Sequence, residues 1–498
     1  FARRLSQPTA ANPRQPTNTR AVTHSSNQTT TMGFNTVPVG IPIVQADAKQ
    51  PIAAALQQPA AATEQLAFLS QRGYPAGLAS EVVKCARSCP LRVWIVDDSG
   101  SMRMGDGTIV KQGKIINCTR ATELAATVLV HAELAAALGT RCVFQTLNGP
   151  CLTVDGTQGK DAAAAGVTAL HNVFGTDGLA SGSTPLTEAV VKTISLIEPM
   201  VEQLRATGQR AVVVLATDGR PNNPTTFKEA LRRLQELPVL ITIRLCTSEE
   251  GVLSYWTDLD AELERPLDVL DDLSGEAAEV AQAQPWLAYL APLHEAREFG
   301  LSHKLFDLLD EAPLLPTQCR ALLELLFGGP LPEPQLDFAA FEQAVLAHAA
   351  AAGAVFCPLQ RRCVPWVDAA KLAANVGPKL RLRMRGEKLK KLELFSQSDP
   401  FVRVSARRDA PLGQTEHVEN DANPRWRELV LTQGGLAGDA HLCFEVFDHE
   451  SSGKHRLIGS VTARLDELLA GKLSRAELEK DGKKGRGALV FDGVASDV

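Results

Sequence analysis

Between residues 91 and 246 the chain alternates apolar runs of strand length with segments of helical length. The runs "LRVWIVDD", "RCVFQTL", "RAVVVLATDG" and "PVLITIRLC" are separated by "ATELAATVLVHAELAAAL", "PLTEAVVKTISLIEPMVEQL" and "FKEALRRLQEL". A strand that is apolar at nearly every position must be covered on both faces. A helix between successive strands returns the chain to begin the next one in the same direction. The stretch therefore reads as an α/β fold with a doubly wound, mostly parallel sheet. In such folds ligands settle where the C-terminal ends of the strands open into loops, so the ends of these runs are the places to look for chemistry.

The remaining sequence divides around this block. Residues 1–60 are rich in Pro, Gln, Thr, Asn and Ala, show no sustained apolar period, and are expected to form a disordered leader. Residues 61–88 predict a helical hairpin turned at Gly73-Tyr74-Pro75. It faintly resembles the first helices of a ubiquitin-binding UBA fold, but no third helix is evident, so it reads as a packing extension of the α/β domain at 89–275. A helix-rich region follows over 276–375, and residues 376–498 switch to period two, with Lys379, Arg381, Arg383 and Arg385 alternating with Leu380, Leu382 and Met384. The chain's 498 residues exceed what one core organises, so the expectation is multidomain.

Several function classes recede on composition. A formal charge of −6 gives no bulk attraction to nucleic acid. The ten cysteines are scattered and form no paired C-x-x-C knuckles, which argues against a RING or a disulfide framework and for thiols in a reducing compartment. No apolar run approaches the roughly 20 residues of a membrane-spanning helix. Arg3, Arg4, Arg14 and Arg20 precede the first acid, Asp47. That composition is shared by targeting peptides and disordered leaders, so N-terminal targeting stays open. A nucleophile elbow, a P-loop and a dinucleotide fingerprint are all lacking, and the chain is read as non-enzymatic.

The first strand runs into Asp97-Asp98-Ser99-Gly100-Ser101, which places Asp97, Ser99 and Ser101 as hard oxygen donors on one loop. Mg²⁺ prefers such donors and gives up its waters reluctantly. Two more oxygen groups are expected from loops at the same sheet edge. Thr184, in Gly182-Ser183-Thr184-Pro185, and Asp218, at the end of "VVLATDG", supply them. Asp98 reads as an orienting or solvated carboxylate, and Gly100 as the residue that allows a tight loop.

In this order, D-x-S-x-S, then Thr, then Asp, the set resembles the metal-ion-dependent adhesion site of von Willebrand factor A domains. The resemblance implies Mg²⁺ or Mn²⁺ held directly by Ser99, Ser101 and Thr184, with Asp97 and Asp218 acting largely through water. It also implies one open position that a carboxylate of a protein partner fills.

Downstream, "LELFSQSDPFVRV", "TEHVENDANPRW", "LCFEVFDHES" and "HRLIGS" resemble a C2 domain, an antiparallel β-sandwich whose loops at one end hold Ca²⁺ and meet anionic lipid. The family's five acidic positions fall here on Glu393, Asp399, Asp448, Glu450 and Arg456. Arg456 departs from the pattern, because a cation cannot ligate Ca²⁺, so any Ca²⁺ would be held weakly. The outward row Lys379, Arg381, Arg383 and Arg385, continued by Lys388, Lys390 and Lys391, contains only one acid, Glu387. It reads either as an anionic-lipid contact or as charges that keep an edge strand from pairing.

An A domain with a C2 domain resembles the copines, although copines place two C2 domains before the A domain. The resemblance implies a cytoplasmic adaptor that associates peripherally with anionic membranes and captures an acidic protein partner. Two alternatives stay open: a ubiquitin-pathway scaffold acting with a ligase in trans, and a soluble assembly scaffold with a silent C2 domain.

Overall fold

The structure is a computed structural model describing residues 59–111, 113–175, 180–263, 267–392, 397–407, 410–432 and 440–497. The leader expected over 1–60 lies almost entirely outside the described residues. Helices α1 (Pro59–Gln71) and α2 (Ala76–Ser88) form the hairpin, with Gly73 at φ 84° making its turn.

Strand β1 (Leu91–Val96) is buried along its whole length. A small antiparallel hairpin of β2 (Gly107–Lys111) and β3 (Lys114–Cys118) leads into α3 (Arg120–Leu138). The Thr119 hydroxyl caps α3 by accepting from Thr122 N, and Gly139, at φ 67°, ends it. Then come β4 (Arg141–Thr146), β5 (Cys151–Asp155), α4 (Lys160–Phe174), α5 (Leu186–Ile197), α6 (Val201–Thr207), β6 (Ala211–Thr217), α7 (Pro224–Gln235), β7 (Val239–Leu245), α8 (Glu250–Glu262) and β8 (Asp268–Leu270).

The sheet order is β5-β4-β1-β6-β7-β8, and every pair is parallel except β4 with β5. The pleat sends alternate residues to opposite faces. Trp94, Val96, Val212 and Val214 join one core, and Val93, Ile95, Val213 and Leu215 the other. That division is why these strands are apolar at every position.

The helical region comprises α9 (Leu273–Ala283), α10 (Ala291–Glu298), α11 (Lys304–Asp307), α12 (Pro316–Phe327), α13 (Phe338–Ala352), a β9 (Ala354–Cys357)–β10 (Arg362–Pro365) hairpin and α14 (Ala369–Val376). The boundaries expected at 88/89 and 275/276 do not separate cores. One cluster runs from Leu78 and Val82 through Trp94 and Val128 to Leu293, Phe299, Leu322 and Trp366. The helices of 276–375 bury their apolar stripes in the same cluster that α3 and α4 form on that sheet face, and so extend it.

Arg92 joins these parts. Fully buried on β1, it donates to Cys89 O (2.6 Å) and Phe299 O (2.9 Å) and stacks on the Phe299 ring. A guanidinium at the end of α2 meets carbonyls that the helix leaves unpaired.

One expectation about apolar runs is corrected. By length and composition α3 is apolar enough to cross a membrane, but half of its most apolar window is buried inside the fold. It packs as a core helix, with Leu124, Val128 and Leu138 against the sheet.

The C-terminal region is an antiparallel β-sandwich. Its strands are β11 (Lys379–Glu387), β12 (Pro400–Arg407), β13 (Ala410–Gln414), β14 (Leu429–Thr432), β15 (His441–Asp448), β16 (Arg456–Arg464), β17 (Arg475–Glu477) and β18 (Ala488–Asp497), with helix α15 (Leu465–Leu469) between β16 and β17. The sheets are β14-β11-β18-β17 and β13-β12-β15-β16. Leu380, Leu382 and Met384 from one face Val402, Phe444 and Val446 from the other.

Candidate functional site

The parallel register pairs Val96 with Ala216, so β1 and β6 release their next residues side by side. Asp97 N donates to Ala216 O at 2.9 Å, which sets Asp97 beside Thr217 and Asp218. Asp97 is then held on both oxygens, by Ser99 N (2.9 Å) and by the Thr217 hydroxyl (2.6 Å). The Ser99 and Ser101 hydroxyls lie 3.0 Å apart, and Ser101 donates to Asp218 Oδ1 at 2.8 Å. Two hydroxyls and two carboxylates from loops 117 residues apart thus meet at one sheet edge. Asp97, Ser99 and Asp218 are buried, while Ser101 opens to solvent.

The loop that carries Thr184 is tied to the same edge. Ser181 N donates to Asp98 O (2.6 Å) and Gly100 N to Gly182 O (3.2 Å). Thr184 is half-buried just before α5, and among the described residues no hydrogen bond links its hydroxyl to the other four side chains. Its loop is brought in through backbone bonds, and its side chain stands separate.

Of two smaller expectations, one is decided and one changes. Asp98 is buried, and its Oδ1 accepts from Asn148 N (2.8 Å) and Asn148 Nδ2 (3.0 Å), so it orients a neighbouring loop and is not solvated. The conformationally demanding glycine is Gly182 rather than Gly100. Gly182 sits at φ 94°, where a Cβ would fall 2.5 Å from the Asn148 side chain, whereas a Cβ on Gly100 would meet only Gly182 O at 3.8 Å.

Sequence reasoning missed Arg120. It is buried and reaches Asp218 Oδ2 (3.0 Å), both oxygens of Asp106 (2.8 and 2.7 Å) and Glu249 Oε1 (3.3 Å). A cation in the first turn of an apolar helix opposes the helix dipole, and that was the available signal. Burial pushes the Asp218 carboxyl up, with Asp97 adding to the shift and Ser101 and Arg120 opposing it. The Arg120 guanidinium draws the Asp106 carboxyl down.

The donor set fits a hard divalent ion: hydroxyl and carboxylate oxygens only, converging, with lone pairs to spare on each. Among the described residues no three His, Cys, Asp or Glu side chains gather as a metal cage. A site built mainly from hydroxyls does not require such a trio.

The second candidate region is on the sandwich. Glu393 lies outside the described residues. Asp399 precedes β12, Asp448 closes β15, and Glu450 follows it. Asp399 N donates to Asp448 Oδ1 (2.8 Å), and Asn420 N to Asp399 Oδ1 (2.7 Å). Arg456 sits among them, against Asp448 and Glu450.

The basic row on β11 has the alternation its sequence predicts, with Leu380, Leu382 and Met384 inward. Its charges are not free, however. Arg381 and Arg383 pair with Glu428 (3.2 and 2.9 Å), and Arg385 pairs with Glu387 (2.6 Å) and Asp492 (3.1 Å). Lys379 donates to the carbonyl of Ala374. The acids that neutralise the row arrive from β18 and from the segment before β14. Exposed Lys388, Lys390 and Lys391 on the next loop make no ion pair among the described residues, and Lys390 N donates to Arg486 O (3.0 Å). That bond sets the loop beside a second basic segment carrying Lys483, Lys484 and Arg486.

Residues 380–479 match the family model of the C2 domain. The chain is 34% identical over 102 residues to Protein BONZAI 1 of Arabidopsis thaliana, covering 20% of this chain and 17% of that protein. It is 32% identical over 133 residues to Copine-B of Dictyostelium discoideum, covering 24% and 25%. The matches thus span a quarter or less of the length of these relatives. Among solved structures, BON1-C2B is 28% identical, with 26% of this chain and 98% of that chain covered and a TM-score of 0.23. The C2A domain of plant Extended Synaptotagmin 1 is 24% identical, covers 23% and 93%, and has a TM-score of 0.19.

Proposed function

We propose that the chain is a non-enzymatic adaptor that joins a protein partner to an anionic membrane surface. The α/β region acts as a von Willebrand A-type domain. Ser99, Ser101 and Thr184 would hold Mg²⁺ or Mn²⁺, with Asp97 and Asp218 supporting it through water. Such an ion supplies an electrophilic centre for a partner's carboxylate, because hydroxyl ligands neutralise little of its charge. The observation that carries this reading is the Ser99–Ser101–Asp218 chain of contacts, which assembles hard oxygens from two separate loops at the edge where such sheets bind ligands.

The chain's own residues prepare that edge. Thr217 and Ser99 N orient Asp97, Asn148 and Asp98 dock the loop bearing Thr184, and Arg120 keeps Asp218 turned toward Ser101. The C2 domain provides the second attachment. We place its contact with anionic phospholipid on exposed Lys388, Lys390 and Lys391 with the neighbouring exposed Lys483 and Lys484 and half-buried Arg486, where the one ion pair among the described residues, Lys484 with Glu479 at 3.6 Å, is looser than those of β11. The pairing of Arg381, Arg383 and Arg385 favours a second reading, a scaffold whose C2 domain is silent toward lipid.

Calorimetric titration of Mg²⁺ into the full chain tests the first attachment. Asp97→Ala and Thr184→Ala should each lower Mg²⁺ affinity by about 100-fold with the fold intact. Unchanged affinity in both variants refutes the metal site. Pelleting with phosphatidylserine-containing vesicles separates the adaptor from the silent-C2 scaffold.

A further inference from the structure

At the end of the sandwich where a C2 domain would gather Ca²⁺, a side chain of the protein already sits between the carboxylates. Antiparallel register places Arg456 directly across from Asp448. Its Nη2 lies 3.1 Å from Asp448 Oδ2, its Nε 2.7 Å from Glu450 Oε1, and its Nη1 donates to Leu392 O at 3.3 Å. One guanidinium therefore holds together the loop after β11, the loop after β15 and the start of β16.

The carboxylates around it are engaged. Asp448 is buried and receives Asp399 N on its other oxygen, and Asp399 itself receives Asn420 N. A collar of rings closes the arrangement. His417 stacks on His449 at 4.1 Å and 6°, His449 lies 5.1 Å from His455, and Phe401 meets His455 edge-on at 4.9 Å. His455 Nδ1 accepts from Glu450 N (3.1 Å), which fixes the loop that carries Glu450.

These residues do not fit Ca²⁺. The ion takes 6–8 oxygen ligands, and here Asp448 and Glu450 are bound to a fixed positive charge. To enter, Ca²⁺ would have to displace a group tethered in place at an effective concentration on the order of mM or above. It would then share the site with the displaced cation.

We propose that Arg456 is a built-in replacement for the cation at this end of the C2 domain, so that its loops are set for anionic lipid without Ca²⁺. The lipid half of this inference rests on the membrane reading above; the replacement of Ca²⁺ by Arg456 stands without it.

Two measurements on the full chain keep these halves apart. Ca²⁺ is titrated calorimetrically with Mg²⁺ in excess, and pelleting is measured with vesicles of phosphatidylcholine and phosphatidylserine in equal parts, with Ca²⁺ or with EGTA. Wild type should show no Ca²⁺ binding that Asp448→Asn removes, and its pelleting should be the same in both conditions. Arg456→Asp, which removes the cation and restores a carboxylate, should gain a Ca²⁺ site at least about tenfold tighter than anything in wild type, and its pelleting should become Ca²⁺-dependent. Arg456→Gln keeps hydrogen-bonding capacity without the charge and should fall between the two, which covers the case of a misfolded aspartate variant.

Wild-type Ca²⁺ binding that Asp448→Asn abolishes overturns the proposal, as does wild-type pelleting that disappears in EGTA. If wild type fails to pellet in either condition, the membrane reading falls, while the calorimetry still decides the role of Arg456.

Discussion

The two candidate cation sites each contain an arginine among carboxylates, but the arginines stand differently. Arg120 is almost wholly buried, approaches from the side of Asp218, and spends most of its bonds on Asp106 and Glu249. Arg120 holds Asp218 on Oδ2 while Ser101 takes Oδ1, and Asp97 keeps its own bonds to Ser99 N and Thr217. Arg456 is 41% exposed and grips the carboxylates themselves, Asp448 and Glu450. The first arginine braces one wall of a candidate cation site, and the second occupies the place of the cation in the other. A guanidinium near acids thus says little until it is known which lone pairs it uses.

Arg120→Ala is the sharpest way to break this comparison. It leaves the buried Asp218 without its cation, a change that costs about 3–5 kcal/mol of stability in buried pairs, measurable by urea denaturation. Mg²⁺ should restore part of that loss. If the substitution instead raises Mg²⁺ affinity many-fold at unchanged stability, Arg120 is an occupant like Arg456 and the contrast collapses.

The surface charges of the sandwich offer a milder test. Lys390→Glu with Lys391→Glu should weaken pelleting on phosphatidylserine vesicles by about tenfold or more, since each charge near an anionic leaflet is worth about 1 kcal/mol. Full binding by this variant would move the contact elsewhere. The smallest effect is expected from Arg383→Glu: its partner Glu428 already offsets the charge, and exposed pairs contribute little, so vesicle affinity should change by less than about twofold. A large loss there would return the lipid contact to β11.

Much of the first site is legible in the chain itself, because its donors sit where apolar runs stop. Asp97 and Asp218 are the first polar side chains of consequence beyond β1 and β6, and the parallel register that pairs Val96 with Ala216 releases them at the same end of the sheet. Arg120 was not legible in the same way. It lies 98 residues from Asp218, and nothing in "NCTR" announces a partner so far away. The β11 row shows the converse. In sequence only Glu387 accompanies it, and folding supplies Asp492 from β18, which pairs with β11, and Glu428 from the segment just before β14. Likewise the helices of 276–375 read as a separate region, yet they share a core with β1.

What the amino-acid order determined alone was periodicity: which segments are strands or helices, which faces are apolar, and where oxygen-bearing loops begin. Those properties depend on neighbours two to four residues apart and survive without knowledge of the rest. What only the tertiary structure decided was charge balance. Whether a cation is free, braced or already spent depends on acids that register and packing bring to within a few ångströms, and Coulomb attraction acts over that distance regardless of separation along the chain.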